Sequence, residues 1–213
     1  MKIKKFGQCC LLIEIEGKRV LTDPGSFTVD QNTLTDIDIV LITHEHGDHF
    51  HVESVKQIMS NNPNAELVTN SGVGKHLDEM GIQYTLLEKR DSQEISGVLL
   101  EAFDHKHEEI FEEVGQVQNT GYFIGSELFY PGDSYCNPGK RVPVLALPVA
   151  GPWCKIPDAL RYAIEVRPTK AFPVHDFMLK ETTLGFLYSM TEQLLKSKGI
   201  EFVPLKAGEE KEF

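Results

Sequence analysis

Ile42-Thr43-His44-Glu45-His46-Gly47-Asp48-His49 packs three imidazoles and a carboxylate into the six residues from His44 to His49. The spacing H-x-H-x-D-H offers borderline-soft nitrogen and hard oxygen together, a mixture that suits zinc and, less exclusively, iron or manganese. A solvated loop can collect histidines through composition alone. It seldom does so directly after a strand-like run, and Ile39-Val40-Leu41-Ile42 is such a run. The stretch therefore reads as a buried strand feeding a metal-binding loop.

Around this loop the chain is long enough for one sizeable α/β domain, and we take residues 1–213 as a single unit. With 41% apolar and 25% charged residues it has the composition of an ordinary globular protein. No apolar stretch approaches the length of a membrane span. Glu14 and Glu16 interrupt the first apolar run where a signal peptide needs its apolar centre, so that run is read as a strand. A cytoplasmic chain follows, with Cys9, Cys10, Cys136 and Cys154 as reduced thiols without CxxC spacing. Cys9 and Cys10 are expected on opposite faces of a strand. The net charge of −11 disfavours a nucleic-acid surface but leaves room for a small, even anionic, substrate beside bound cations.

Extended, apolar-rich segments bounded by turn signals predict strands over Lys2–Phe6, Cys9–Ile15, Lys18–Leu21, Ile39–Ile42, Glu66–Val68, Tyr84–Leu86 and Val98–Phe103. More follow at Tyr122–Ile124, Leu128–Tyr130, Val144–Pro148 and Ala171–Val174. Helices are expected over Val52–Ser60, Gly72–Met80, Pro157–Val166 and Leu184–Lys198, and residues 207–213 as a frayed acidic tail. This mixture favours helices outside two largely antiparallel or mixed sheets over a doubly wound parallel sheet.

Four ligands are too few for two ions, and several other candidates sit at strand ends. His105 and His107 follow Val98–Phe103, Asp133 follows Leu128–Tyr130, and His175 follows Ala171–Val174. Chemistry gathers on loops fixed by rigid strands. The ordered pieces are Gly7-Gln8-Cys9-Cys10-Leu11-Leu12-Ile13, Leu21-Thr22-Asp23-Pro24, Thr43 to His49, Tyr130-Pro131-Gly132-Asp133-Ser134 and Pro173-Val174-His175. Together they resemble the metallo-β-lactamase-fold hydrolases, in particular the lactonase-like branch related to ascorbate-6-phosphate lactonase. Gln8 stands where that branch commonly has histidine.

The resemblance implies an α+β protein, a four-layer αβ/βα sandwich with its metal site on one edge of the sheets. It implies His44, His46 and His105 around one ion, Asp48, His49 and His175 around a second, and Asp133 between them. His105 is preferred to His107 because it follows the strand immediately. Two divalent ions, zinc first with manganese or iron as alternatives, would activate a shared water and polarise a carbonyl or phosphoryl oxygen. Asp48 and Asp133 are the candidate catalytic carboxylates, Asp48 also as a proton carrier. The expected activity is hydrolysis of an ester, lactone or related bond in a small molecule. A phosphodiesterase or nuclease, an iron redox protein and a non-catalytic metal binder are the alternatives. The resemblance places glutamate at the His46 position in flavin-linked diiron relatives, so His46 favours hydrolysis.

Asp23 is expected to support a ligand loop from behind, and Trp153 to line a substrate pocket with Lys155 or Arg141 as an anion contact. His51 and His76 read as helix-surface residues, Cys136 as a structural thiol. The acidic pairs Glu108-Glu109 and Glu112-Glu113 read as a solvated loop.

Overall fold

The computed structural model describes residues 1–112, 114 and 116–213. Glu113 therefore lies outside the described residues, and the solvated-loop reading of its pair extends only to Glu112, which is exposed.

The chain begins with strands β1 (Lys2–Gly7), β2 (Cys10–Ile15), β3 (Lys18–Thr22) and β4 (Ile39–Leu41), then helix α1 (Val52–Asn61). Next come β5 (Glu66–Thr69), α2 (Ser71–Glu79), β6 (Thr85–Leu86), β7 (Ser92–Ile95), β8 (Val98–Lys106), β9 (Gln118–Ile124) and β10 (Leu128–Tyr130). The last elements are β11 (Val144–Pro148), α3 (Ile156–Val166), β12 (Lys170–Val174), α4 (Glu181–Lys196), β13 (Glu201–Phe202) and β14 (Glu210–Glu212).

Two seven-stranded sheets result, in the orders β14-β1-β2-β3-β4-β5-β6 and β13-β12-β11-β10-β9-β8-β7. Each is mixed. Strands β3 to β6 pair in parallel and β14 to β3 antiparallel. In the other sheet, β10 to β13 are parallel and β7 to β10 antiparallel.

The central strands are buried on both faces, which is why they read as nearly continuous apolar runs. Leu11, Ile13, Val20 and Leu41 meet Leu100, Tyr122, Ile124 and Val174 between the sheets. Cys10, Leu12, Val40 and Ile42 face Val55 and Ile58 of α1 and Val73 and Leu77 of α2. Phe123, Leu145 and Ala171 face Ala163 of α3 and Tyr188 of α4. Helix–sheet–sheet–helix is thus the layer order, and each large aliphatic side chain so enclosed contributes about 1.5–3 kcal/mol. Cys9 lies in the intersheet core and Cys10 on the helix side, the opposite faces expected of neighbours. Among the described residues no helix is long and apolar enough to cross a membrane.

Two expectations need correction. Residues 207–213 do not fray: β14 pairs with β1, Lys2 reaches Glu14 at 3.0 Å and Glu210 at 3.3 Å, and Phe213 packs on Phe172. The charges there alternate as cross-strand partners, which composition alone conceals. Strand β8 also runs past Phe103 to Lys106, its register with β9 pairing His105 with Asn119. That extension keeps His105 within the strand, where it is exposed.

Strand direction places the chemistry. In the first sheet β1, β3 and β4 share one direction, and in the second β8, β10, β11 and β12 share one. Gln8, Asp23, the motif loop, His107, Asp133 and His175 each follow the carboxyl end of one of these strands.

Candidate metal centre

After β4, the backbone passes so close to Gly25 that a Cβ there would collide with the Asp48 carbonyl. Glycine at position 25 is therefore what lets the loop after β3 lie against the motif loop. The carboxylate of Asp23 then ties these loops together. Its Oδ1 accepts from Thr43 N at 2.8 Å, while Oδ2 accepts from Thr43 Oγ1 at 2.7 Å and from Tyr130 OH at 2.5 Å.

The same Oδ2 lies 2.6 Å from His49 Nδ1. Thr43, having given its hydroxyl proton to Asp23, accepts from His44 Nδ1 at 3.0 Å. His107 Nδ1 donates to Glu108 O at 2.6 Å. Each of these three rings has its Nδ1–H engaged by oxygen, so Nε2 is the nitrogen turned toward the cluster.

Two groups converge, His44 with His46 and His107, and Asp48 with His49, Asp133 and His175, the donor atoms of each lying within 4.8 Å of one another. Asp133 borders both. Its Oδ2 is 3.3 Å from His107 Nε2, 2.9 Å from His175 Nε2 and 3.9 Å from His44 Nε2, and its Oδ1 is 3.1 Å from His49 Nε2. Gly132, at φ +63°, makes the turn after β10, and Asn119 Oδ1 accepts from Asp133 N at 3.0 Å.

His105 is not in the cluster. Alternation along the extended β8 sets it on the face of Leu99 and Glu101, where it is exposed and its Nδ1 meets the Lys106 carbonyl at 2.8 Å. His107, beyond the last pair of β8 and β9, turns inward and is 3% exposed. The first triad is therefore His44, His46 and His107.

Electrostatics follow burial and neighbours. Burial, together with the adjacent His49, holds His44 well below the usual imidazole range. His46 is lowered by burial and by His107. Burial would lower His49 and His175 too, but Asp133 beside each raises both well above that range. Burial would raise Asp133, yet His175 and His49 keep it far below the carboxylate range. Asp48, despite burial, is lowered by its bond to His175 and by the charge of His49.

His44 Nε2, His49 Nε2 and Asp133 Oδ1 are buried without a well-aligned hydrogen bond, the last two lying 3.1 Å from each other as an ion pair. Buried polar atoms in that condition cost about 1–3 kcal/mol each, and divalent cations at the two groups are the partners their chemistry fits.

Several contributors escaped the sequence reading. Asn119, 14 residues before Asp133, carried no signal, and Tyr130, although part of the Tyr130-Pro131-Gly132-Asp133-Ser134 motif, gave no sign of its contact with Asp23, 107 positions away. Trp153 does reach the site, donating Nε1–H to Asp133 Oδ2 at 3.0 Å. Lys155 caps α3 and is exposed, while Arg141 precedes the opposite end of β11. Burial pushes the Cys136 thiol up to about 11, consistent with a structural role.

A family model described as a beta-lactamase superfamily domain matches residues 2–175. Protein Rv0786c of Mycobacterium tuberculosis is 31% identical over 199 residues, 91% of this chain and 92% of that one. A UPF0173 metal-dependent hydrolase of Flavobacterium johnsoniae is 35% identical over 88 residues, 38% of this chain and 37% of its own length. Among solved structures, Igni18, a metallo hydrolase of Ignicoccus hospitalis, superposes with TM-score 0.77 at 20% identity, over 100% of this chain and 98% of that one.

Proposed function

The chain belongs to the beta-lactamase superfamily, and from that membership we propose a metal-dependent hydrolase that holds two divalent cations, zinc foremost, and cleaves an ester, lactone or related bond of a small molecule. The observation that carries this reading is the convergence of His44, His46 and His107 in one group and of Asp48, His49, Asp133 and His175 in a second, the donor atoms of each within 4.8 Å of one another. His44, His46 and His107 would hold one ion, Asp48, His49 and His175 the other, with Asp133 between them. The Flavobacterium johnsoniae relative named as a metal-dependent hydrolase supports the metal-dependent hydrolysis in this reading.

Bound there, the two cations would supply Lewis acidity and bring a water's pKa toward neutrality. The protein's own side chains do the rest. Asp133, fixed by Trp153 and Asn119, would serve as a ligand between the two positions. Asp48 is 21% exposed against 3% for Asp133, so it is the carboxylate with access to a substrate and to a leaving group that needs a proton. Asp23 fixes His49 from behind. The acidic surface favours small substrates over polynucleotides. Four free, buried thiols suit a reducing, cytoplasmic setting.

The test is a panel of lactones, phosphodiesters and thioesters with metal-stripped protein reloaded with zinc or manganese. Activity should vanish on stripping and return on reloading, and Asp133→Ala and His46→Ala should abolish most of it. Full activity in stripped protein would refute the reading.

A further inference from the structure

Gln8, in the loop between β1 and β2, is 1% exposed, and its terminal Nε2 lies 2.8 Å from Asp48 Oδ2 and 3.0 Å from His175 Nε2. Its Oε1 is buried with no hydrogen-bond partner. The residue holds φ +49°, a left-handed conformation that costs a side-chain-bearing residue free energy. His175, at φ +60°, donates its backbone N–H to Gln8 O at 3.0 Å. Two strained residues are thus bonded backbone to backbone while their side chains converge on Asp48. A glycine would make this turn at lower cost, so the carboxamide rather than the turn explains a glutamine here.

The orientation of that carboxamide depends on what Asp48 and His175 hold. With Nε2 inward, an N–H can satisfy Asp48. It also faces the His175 nitrogen whose lone pair a cation at this position would take, and an N–H directed at a cation is repelled. Turning the amide over exchanges its two terminal atoms and brings Oε1 inward. Two oxygens side by side repel each other until a cation lies between them, and then the sign reverses. An amide oxygen is a hard donor of the kind that divalent ions accept alongside carboxylates.

We infer that Gln8 is a further ligand of the second cation position, its Oε1 joining Asp48, His49, Asp133 and His175. This rests on the two-ion reading above. It makes the two positions chemically unequal, an imidazole-rich one at His44, His46 and His107 and an oxygen-rich one beside Gln8. The second should accept manganese more readily than the first.

Calorimetric titration of the metal-stripped full chain with zinc and with manganese, with bound ions counted, tests this on Gln8→Glu, Gln8→Ala and wild type. Gln8→Glu keeps an oxygen in place whichever way the group turns, and should hold or raise affinity for the second ion. Gln8→Ala should weaken that ion about 10–100-fold and leave the first unchanged. If Gln8 were only a hydrogen-bond donor to Asp48, Gln8→Glu would set two carboxylates together without gain and weaken the second ion. That result, or affinities within about twofold of wild type in Gln8→Ala, overturns the inference. Thermal melts of each stripped variant separate these outcomes from misfolding, and should Gln8→Ala fail to fold, the direction of change in Gln8→Glu decides. Wild type that binds fewer than two ions would remove the two-ion reading and this ligand with it. Two ions in wild type with the wrong response to Gln8→Glu removes the ligand alone.

Discussion

Trp153 donates its indole N–H to Asp133 Oδ2 at 3.0 Å, with its ring edge-on to His107 and His175. As the only tryptophan in the chain, it is a built-in reporter of the carboxylate between the two groups. Adding zinc to stripped protein should change its emission, and Asp133→Ala should abolish the change. Trp153→Phe, which keeps an aromatic ring but loses a charge-assisted hydrogen bond of about 1.5–3 kcal/mol, should lower kcat/KM by roughly tenfold or more.

Asp23 touches His49 through a 2.6 Å contact and lies outside the donor set itself. Asp23→Asn should reduce metal affinity about 10–100-fold, because the His49 ring loses its orienting acceptor. Equilibrium dialysis against a zinc buffer measures this directly. Unchanged affinity would assign Asp23 to folding alone.

His107→Ala should lose close to one bound ion per chain, and His105→Ala should keep the wild-type content. Metal analysis after dialysis distinguishes them. The reverse pattern would restore His105 to the site and contradict its exposure on β8.

Lys5 is fully buried, with Nζ 2.6 and 2.7 Å from the Asp176 oxygens and 2.9 Å from Pro173 O. Burial pushes its pKa down against the pull of Asp176. Lys5→Met strands that carboxylate, which also accepts from Tyr188, and should cost about 3–5 kcal/mol in a urea unfolding midpoint. Pairing it with Asp176→Leu should recover part of the loss. A single variant within about 1 kcal/mol of wild type would mean the charge finds water.

Glu88 gives a pH signature away from the metal centre. Burial would raise it, but hydrogen bonds from Lys89, Gln118 and Ser71 bring its pKa down to about 2 from the ordinary 4.5. A depressed folded-state value stabilises the fold above the unfolded pKa, and that stabilisation is lost as pH falls from about 4.5 toward 2. Allowing for solvent screening, wild type should exceed Glu88→Gln by about 1 kcal/mol near neutrality. The gap should narrow in urea melts at progressively lower pH. A gap that widens on acidification would contradict the sign.

Most of the donor set was legible because an apolar run ending in histidine or aspartate is a local pattern. Val40-Leu41-Ile42 before His44, and Phe172-Pro173-Val174 before His175, declare themselves without a partner. The choice between His105 and His107 was not local. It depended on where β8 stops, and the pairing of His105 with Asn119 and Lys106 with Gln118 carries that strand beyond its apolar residues. The same limit hid β14, whose Glu-Lys-Glu sequence becomes a strand only opposite Lys2 and Lys4. Polar edge strands such as β7 give little periodic signal. Tyr130 and Asp23 meet across 107 positions, a contact that no window of sequence contains.

That last contact joins a strand of one sheet to a loop of the other. The carboxylate that holds His49 is thereby gripped from both halves of the sandwich. A small shear of the sheets, too slight to register as lost stability, would still turn an imidazole. Repacking the intersheet core for heat resistance could therefore produce a sturdier protein that has forgotten its metal, and such variants should be ranked on cation retention before melting temperature.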